Sequence, residues 1–277
     1  MTFNISSPNE AFDCLLDFLG LSGSDYIHEY YIECDADNNR FLEKHSDKLE
    51  AMDLEDVAFL VLHVTSNYDQ CKNIKEHGVK NLQEVLSEDT PLNNFLMVHG
   101  LTFDVQAKRM IWNDLEYNID YDSYRDKSYN LSKIEKNIKE IGRKIYFDNQ
   151  INGFFYTQDA KKYGTNIHLY PEFLFTISNL APELSHIKDE WSAKCQGYLL
   201  YMLVNFNQLA WYSFACYTDK YDFDDDKLDN WSQLKNWMWS LAIDVANSNI
   251  SLDKYAYMKQ NTVINPDQIM DVIKINS

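Results

Sequence analysis

Two short stretches of this chain combine residue types that could do chemistry. The first is Leu62-His63-Val64-Thr65-Ser66, which directly follows the apolar run Val57-Ala58-Phe59-Leu60-Val61-Leu62 and precedes Ile74, Gly78 and Leu82. The second reads Gly153-Phe154-Phe155-Tyr156-Thr157, then Asp159-Ala160, then Tyr163-Gly164. An imidazole after a buried strand, followed at once by hydroxyls, is a compact hydrogen-bonding group; taken alone, such a histidine is more often structural. Tyr163 taken alone is more often a core residue. Cys71 and Cys195 have no histidine near them in sequence, which argues against a thiol nucleophile.

Taken together and in order, the two stretches resemble the first two motifs of the ADP-ribosyltransferase superfamily. In that family a strand ends in His followed closely by Thr or Ser, and a second segment reads glycine, hydrophobic strand, Thr, short helix, Tyr. The tail Val263-Ile264-Asn265-Pro266-Asp267-Gln268-Ile269 resembles the end of the family's last core strand and its proline-containing turn. The resemblance covers about residues 57–273. It implies a split-sheet α+β core, NAD as the substrate, and a nucleotide-contacting set of His63, Thr65, Ser66, Gly153, Tyr156 and Tyr163. Within that set His63 would bond a ribose hydroxyl and Tyr163 would support the nicotinamide face. Cleavage of the nicotinamide–ribose bond passes through an oxocarbenium-like centre, as glycoside cleavage does. The family places a Glu near its last strand to bond the ribose 2′-hydroxyl and stabilise that centre.

Here this sequence departs from the pattern. Its last glutamate is Glu190, so no residue from Trp191 to Ser277 supplies that group as Glu. Asp253 and Gln260 flank the expected place, and Tyr255, Tyr257 and Met258 occupy it. The catalytic set implied by the resemblance is therefore His63, Tyr163 and Asp253, with Glu172 as a more distant acid. A glutamate beside Pro171 at a helix start is also explained by the helix dipole. Two functions follow as expectations. One is an NAD-dependent ADP-ribosyltransferase or NAD-cleaving enzyme of toxin or defence type. The other is an inactive binding module of the same fold that acts through its acidic surface.

Composition narrows the setting for these motifs. The chain has 277 residues, enough for one large domain, and 45% of them are hydrophobic, enough to bury a core. Its 19 tyrosines predict a semi-polar aromatic interior whose hydroxyls need partners. The net charge of −18 disfavours extended nucleic-acid binding, because phosphate backbones are repelled. Residues 1–56 hold many acids and only Arg40, Lys44 and Lys48 as bases, and a second acidic run spans 219–229; a basic protein partner would suit such a face. Five widely spaced cysteines suggest reduced thiols and a cytoplasmic location. There is no signal-like N-terminus and no apolar stretch long enough to span a membrane. The seven histidines are isolated in sequence and Asp224-Asp225-Asp226 lacks EF-hand alternation, so no metal is expected.

The elements that must position these residues are partly legible. Ser7-Pro8-Asn9-Glu10 and Gly20 bracket a helix, and residues 21–56 read as further, irregular helices, giving an N-terminal helical cover over 1–56. The α+β core is expected over 57–277 as one continuous unit. Within it, 57–62 reads as a strand ending at His63, and 67–77 as a helix stopped by Gly78. A helix is predicted from a Ser132/Glu135 capping box, with Ile134, Ile138, Ile141 and Ile145 inward. Its opposite face, Lys133, Lys136, Lys139, Arg143 and Lys144, is the one concentrated basic patch and could guide an anion. Strands are expected at 197–204, 210–217 and 255–264, an amphipathic helix from Trp231 to Val245, and a helix from Asn265-Pro266 into Ile269 and Ile273.

Overall fold

The structure is a computed structural model, and it describes residues 1–127, 131–162, 164, 166–214, 231–249 and 252–275. The chain begins β1 (Thr2–Phe3), α1 (Pro8–Leu19), α2 (Gly23–Ile27), α3 (Asn38–Lys44), α4 (Ser46–Ala51) and β2 (Ala58–Asn67). It continues with α5 (Lys72–His77), α6 (Leu82–Ser87), α7 (Pro91–Val98) and the strands β3 (Leu101–Asp104), β4 (Arg109–Trp112) and β5 (Leu115–Asn118). Then come α8 (Lys133–Tyr146), β6 (Asn152–Tyr156), α9 (Glu172–Ser178), α10 (Ile187–Lys194) and β7 (Gln196–Asn205). The helix α11 (Trp231–Ala246) and the strands β8 (Lys254–Tyr257) and β9 (Ile269–Lys274) follow. This is a mixed α+β fold. One sheet has the order β8-β6-β2-β7-β9, with β1 pairing β2 in parallel, and β3-β4-β5 form a separate antiparallel meander. No helix among the described residues is long and apolar enough to cross a membrane.

The chain divides into two compact units, each assembled from separated stretches. Unit 1 takes residues 1–63, 152–158 and 201–259; unit 2 takes 64–151, 159–200 and 260–277. The strands β2 and β7 contribute residues to both, the divisions falling after His63 and after Leu200.

In unit 1, helix α1 forms where the sequence places it. Ser7 is in extended geometry and its hydroxyl accepts the Glu10 N–H, Pro8 occupies the first turn, and Gly20 closes the helix in the left-handed region at φ +59°. Helix α1 buries Ala11, Cys14, Leu15 and Leu19 and packs on α11. The aromatic surplus becomes a core in which Trp239 stacks on Phe18 at 4.0 Å and meets Phe3 edge-on at 5.5 Å. Phe155 and Phe214 stack at 4.9 Å in the same core. Edge-on and offset contacts of this kind suit the ring quadrupole and add to the burial of area.

Unit 2 is organised around α8. The Ser132/Glu135 capping box is formed in both directions, and Ile138, Ile141 and Ile145 are buried against residues such as Leu96, Met110 and Leu174. Ile134 departs from the expected stripe: it is 41% exposed, on the first turn of the helix. Gly142 also faces the core, where an added Cβ would lie 2.3 Å from the Ile119 carbonyl oxygen, so the helix backbone sits directly on the end of the meander.

Five element assignments need correction, two of them simple shortenings: the helix expected over 67–77 covers only Lys72–His77, and the strand expected over 255–264 ends at Tyr257. The first strand does not end at His63: β2 continues to Asn67, so the histidine lies mid-strand. Residues 211–213 form a 3₁₀ turn, and the remainder of the strand expected at 210–217 lies outside the described residues, as does the acidic run 219–229. The helix expected from Asn265 stops after one turn at Pro266–Gln268, and Ile269–Lys274 is the strand β9. Gln268 closes back on the Asn265 main chain in a capping box, and the β-branched residues Ile269, Val272 and Ile273 then favour extended backbone.

Candidate functional site

His63 lies on β2 next to β6. Its Nδ1 is 2.7 Å from the Asn152 carbonyl oxygen. A carbonyl only accepts, so Nδ1 carries the proton and donates, and in the neutral ring Nε2 remains an acceptor. Burial pushes the His63 pKa below the usual imidazole value, opposed only by that Asn152 bond. The ring is therefore neutral at pH 7, rigidly aimed, and able to accept a hydroxyl proton at Nε2.

The next features come from β6 and β8. Leu62 is paired with Phe154, and a Cβ on Gly153 would stand 2.6 Å from both the Leu62 carbonyl oxygen and Val61 Cγ1. Close approach of the two strands thus accounts for the glycine. Tyr156 is half-buried and sits opposite Lys254 in the β6–β8 ladder. Asp253, just before β8, accepts the Gln158 N–H at 3.2 Å through Oδ1 and ties the two strand ends together. Strand β8 is an edge strand bearing Tyr255 and Tyr257, whose rings lie 5.9 Å apart, with Tyr212 a further 5.2 Å from Tyr257. Burial and the neighbouring Asp253 raise the Tyr255 pKa. Two polar atoms beside this arrangement, Asn152 Oδ1 and Thr157 Oγ1, are buried without a hydrogen-bond partner among the described residues. Each such orphan costs about 1–3 kcal/mol.

Each of the other sequence candidates has its own surroundings. Thr65 and Ser66 belong to unit 2, where Thr65 is half-buried and Ser66 is buried with its hydroxyl accepting the Trp191 indole N–H at 3.2 Å. Tyr163 lies outside the described residues. Gln260 donates to the Phe147 carbonyl oxygen at 3.3 Å, and Glu172 pairs with Lys144 at 2.9 Å. The basic face of α8 is also less free than its composition suggests. Lys144 is held by Asp148 as well as Glu172, Arg143 by Glu140 and Asp148, and Lys139 lies over the Tyr121 ring. Lys133 and Lys136 stay exposed.

One group escaped the sequence reading. His99, His186 and Glu190, all in unit 2, place one potential ligand atom each within 4.8 Å of one another. The i,i+4 spacing of His186 and Glu190 was the visible signal; His99 is joined to them by tertiary packing alone.

Comparison with protein-family models, with curated proteins and with solved structures finds no match to this chain.

Proposed function

We propose that this protein is an ADP-ribosyltransferase-like protein whose unit 1 binds NAD through His63. The carrying observation is the state of that ring: a neutral imidazole, fixed through Nδ1 by the Asn152 carbonyl, that offers Nε2 as an acceptor. A ribose hydroxyl is a matching donor. The Asn152 carboxamide oxygen on the neighbouring strand β6 and the Thr157 hydroxyl just after it, both unpartnered among the described residues, supply further polar groups, and the tyrosines of β8 supply flat apolar faces. On this reading Tyr156 completes the contacts to the ligand from unit 1, and Asp253 is the acid for transfer or hydrolysis.

A specific observation favours a second reading, binding without cleavage. One Asp253 oxygen already accepts the Gln158 N–H, and no charged group contributes to the His63 shift. An oxocarbenium needs an oriented anionic acceptor, and loss of one oriented group typically costs about 10²–10³ in rate. The experiment is a thermal melt with millimolar NAD alongside nicotinamide release from labelled NAD. Stabilisation by NAD that is lost in His63→Ala, with the variant still folded, supports the site. Release abolished by Asp253→Asn identifies the enzyme, whereas binding without release identifies the binding module. An unchanged melting temperature at millimolar NAD removes both readings.

A further inference from the structure

The His99–His186–Glu190 group is built by two helix ends. Helix α7 starts at Pro91 under a Thr90 cap and ends with His99 as its C-cap, after which Gly100 at φ +72° turns the chain into β3. Helix α10 starts directly after His186, and Glu190 follows one turn later. His99 packs on the Phe95 ring at 4.6 Å and its side chain is only 13% exposed, while His186 is exposed. The ring of His99 is thus pinned, and that of His186 is free to adjust.

The atoms converge on one carboxylate oxygen. His99 Nε2 lies 3.4 Å from Glu190 Oε2, and His186 Nε2 lies 4.0 Å from the same oxygen. Glu190 Oε1 is held separately by Lys194 at 2.7 Å, which fixes the carboxylate and leaves Oε2 facing the two rings. His99 Nε2 is buried and makes no hydrogen bond despite its nearness to Oε2. A buried imidazole nitrogen facing an anionic oxygen without a hydrogen bond is unfavourable in either tautomer. As a bare acceptor it meets another acceptor, and as a donor it goes unused. With the ring proton on Nδ1, a cation lying between the two atoms turns both acceptors into ligands.

We propose that His99 Nε2, His186 Nε2 and Glu190 Oε2 form a binding site for a divalent transition-metal ion, with zinc as the occupant and water as the remaining ligand. Two imidazoles and one carboxylate are the borderline donor set that zinc takes in three-ligand sites with an open position. Zinc–ligand bonds of about 2.0–2.2 Å place two tetrahedral ligands about 3.3–3.5 Å apart. The His99–Glu190 separation already meets that spacing, and His186, on the surface, closes the remaining gap by side-chain rotation. A metal ligand must offer a lone pair, and His99 Nε2, which makes no hydrogen bond of its own, offers one when the ring proton is on Nδ1. Lys194 orients the carboxylate but repels the ion, so affinity is expected to be micromolar.

The test is calorimetric titration of the full chain, freed of metal by chelator dialysis, with zinc chloride and separately with magnesium chloride. The expected result is one zinc site, weakened roughly tenfold or more in His186→Ala and in Glu190→Gln, and no magnesium heat. His186 is exposed, so its variant stays folded even if His99→Ala does not. Equal zinc affinity in wild type and both variants overturns the proposal. So does the absence of zinc binding at about 100 μM, or magnesium binding as tightly as zinc.

Discussion

In unit 1 the ring of His63 is fixed by a main-chain carbonyl, whereas in unit 2 His99 faces a carboxylate and a second imidazole. Burial lowers both pKa values, yet only His99 has a charge acting against that drift, from Glu190. The two rings therefore suit different partners. A neutral, singly bonded imidazole suits a hydroxyl donor, and one facing an oriented carboxylate suits a cation. The identity of the neighbour, more than the depth of burial, decides what a histidine is for.

The strongest way to break this contrast is to remove the support of one side. Ile138→Asp on α8 places an unpaired charge in the core of unit 2 and is expected to cost about 4 kcal/mol or more, seen as loss of the cooperative urea transition and with it the His99 group. Lys136→Glu on the exposed face of the same helix should change stability by no more than about 0.5 kcal/mol. A tolerated Ile138→Asp would mean that the inward face of α8 is misassigned.

A smaller effect sharpens the His63 side. Gly153→Ala must push β6 away from Leu62 and Val61, since the new Cβ meets both at 2.6 Å. The expected cost is about 1–3 kcal/mol in urea unfolding, together with weaker NAD stabilisation because Asn152 carries the carbonyl that aims His63. Unaltered stability would show that the strands do not approach so closely.

The gentlest probe is pH. A histidine whose folded pKa lies below its unfolded value leaves the unfolded chain binding more protons, so stability is full above the unfolded pKa and falls as pH drops through it toward the folded one. Both histidines have lowered values, so the protein should lose stability on acidification below about pH 6.5, the unperturbed imidazole pKa. His63→Gln and His99→Gln should each flatten that slope, because each removes a group whose folded pKa is lowered. A slope left unchanged by either variant, in urea melts from pH 7.5 to 5, would remove that ring from the pH response.

What the sequence made legible was local. Ser7, Pro8 and Gly20 fix α1, and Ser132 with Glu135 fixes the start of α8, through contacts only a few residues apart. What it hid was set by distant partners. The Asn265-Pro266 start was read as a long helix because nothing nearby showed that Ile269–Lys274 joins a sheet. The β3-β4-β5 meander went unseen, since its short strands carry weak periodicity and are positioned by packing on α7. The bond from Trp191 to the Ser66 hydroxyl, made by a helix far along the chain, leaves no trace in local spacing. The same holds for His99, whose neighbours lie in α10 and its cap.

The way unit 1 is drawn from separated stretches has a consequence for how the protein is made. Helix α1 packs on α11, whose residues follow it only after most of unit 2 has been synthesised. At translation speeds of about 5–20 residues per second, the apolar face of α1 waits on the order of ten seconds or more for its partner. Through that interval Ala11, Leu15 and Leu19 are a sticky surface on a nascent chain, so production should depend on chaperone capacity and on growth temperature more steeply than equilibrium stability alone would suggest.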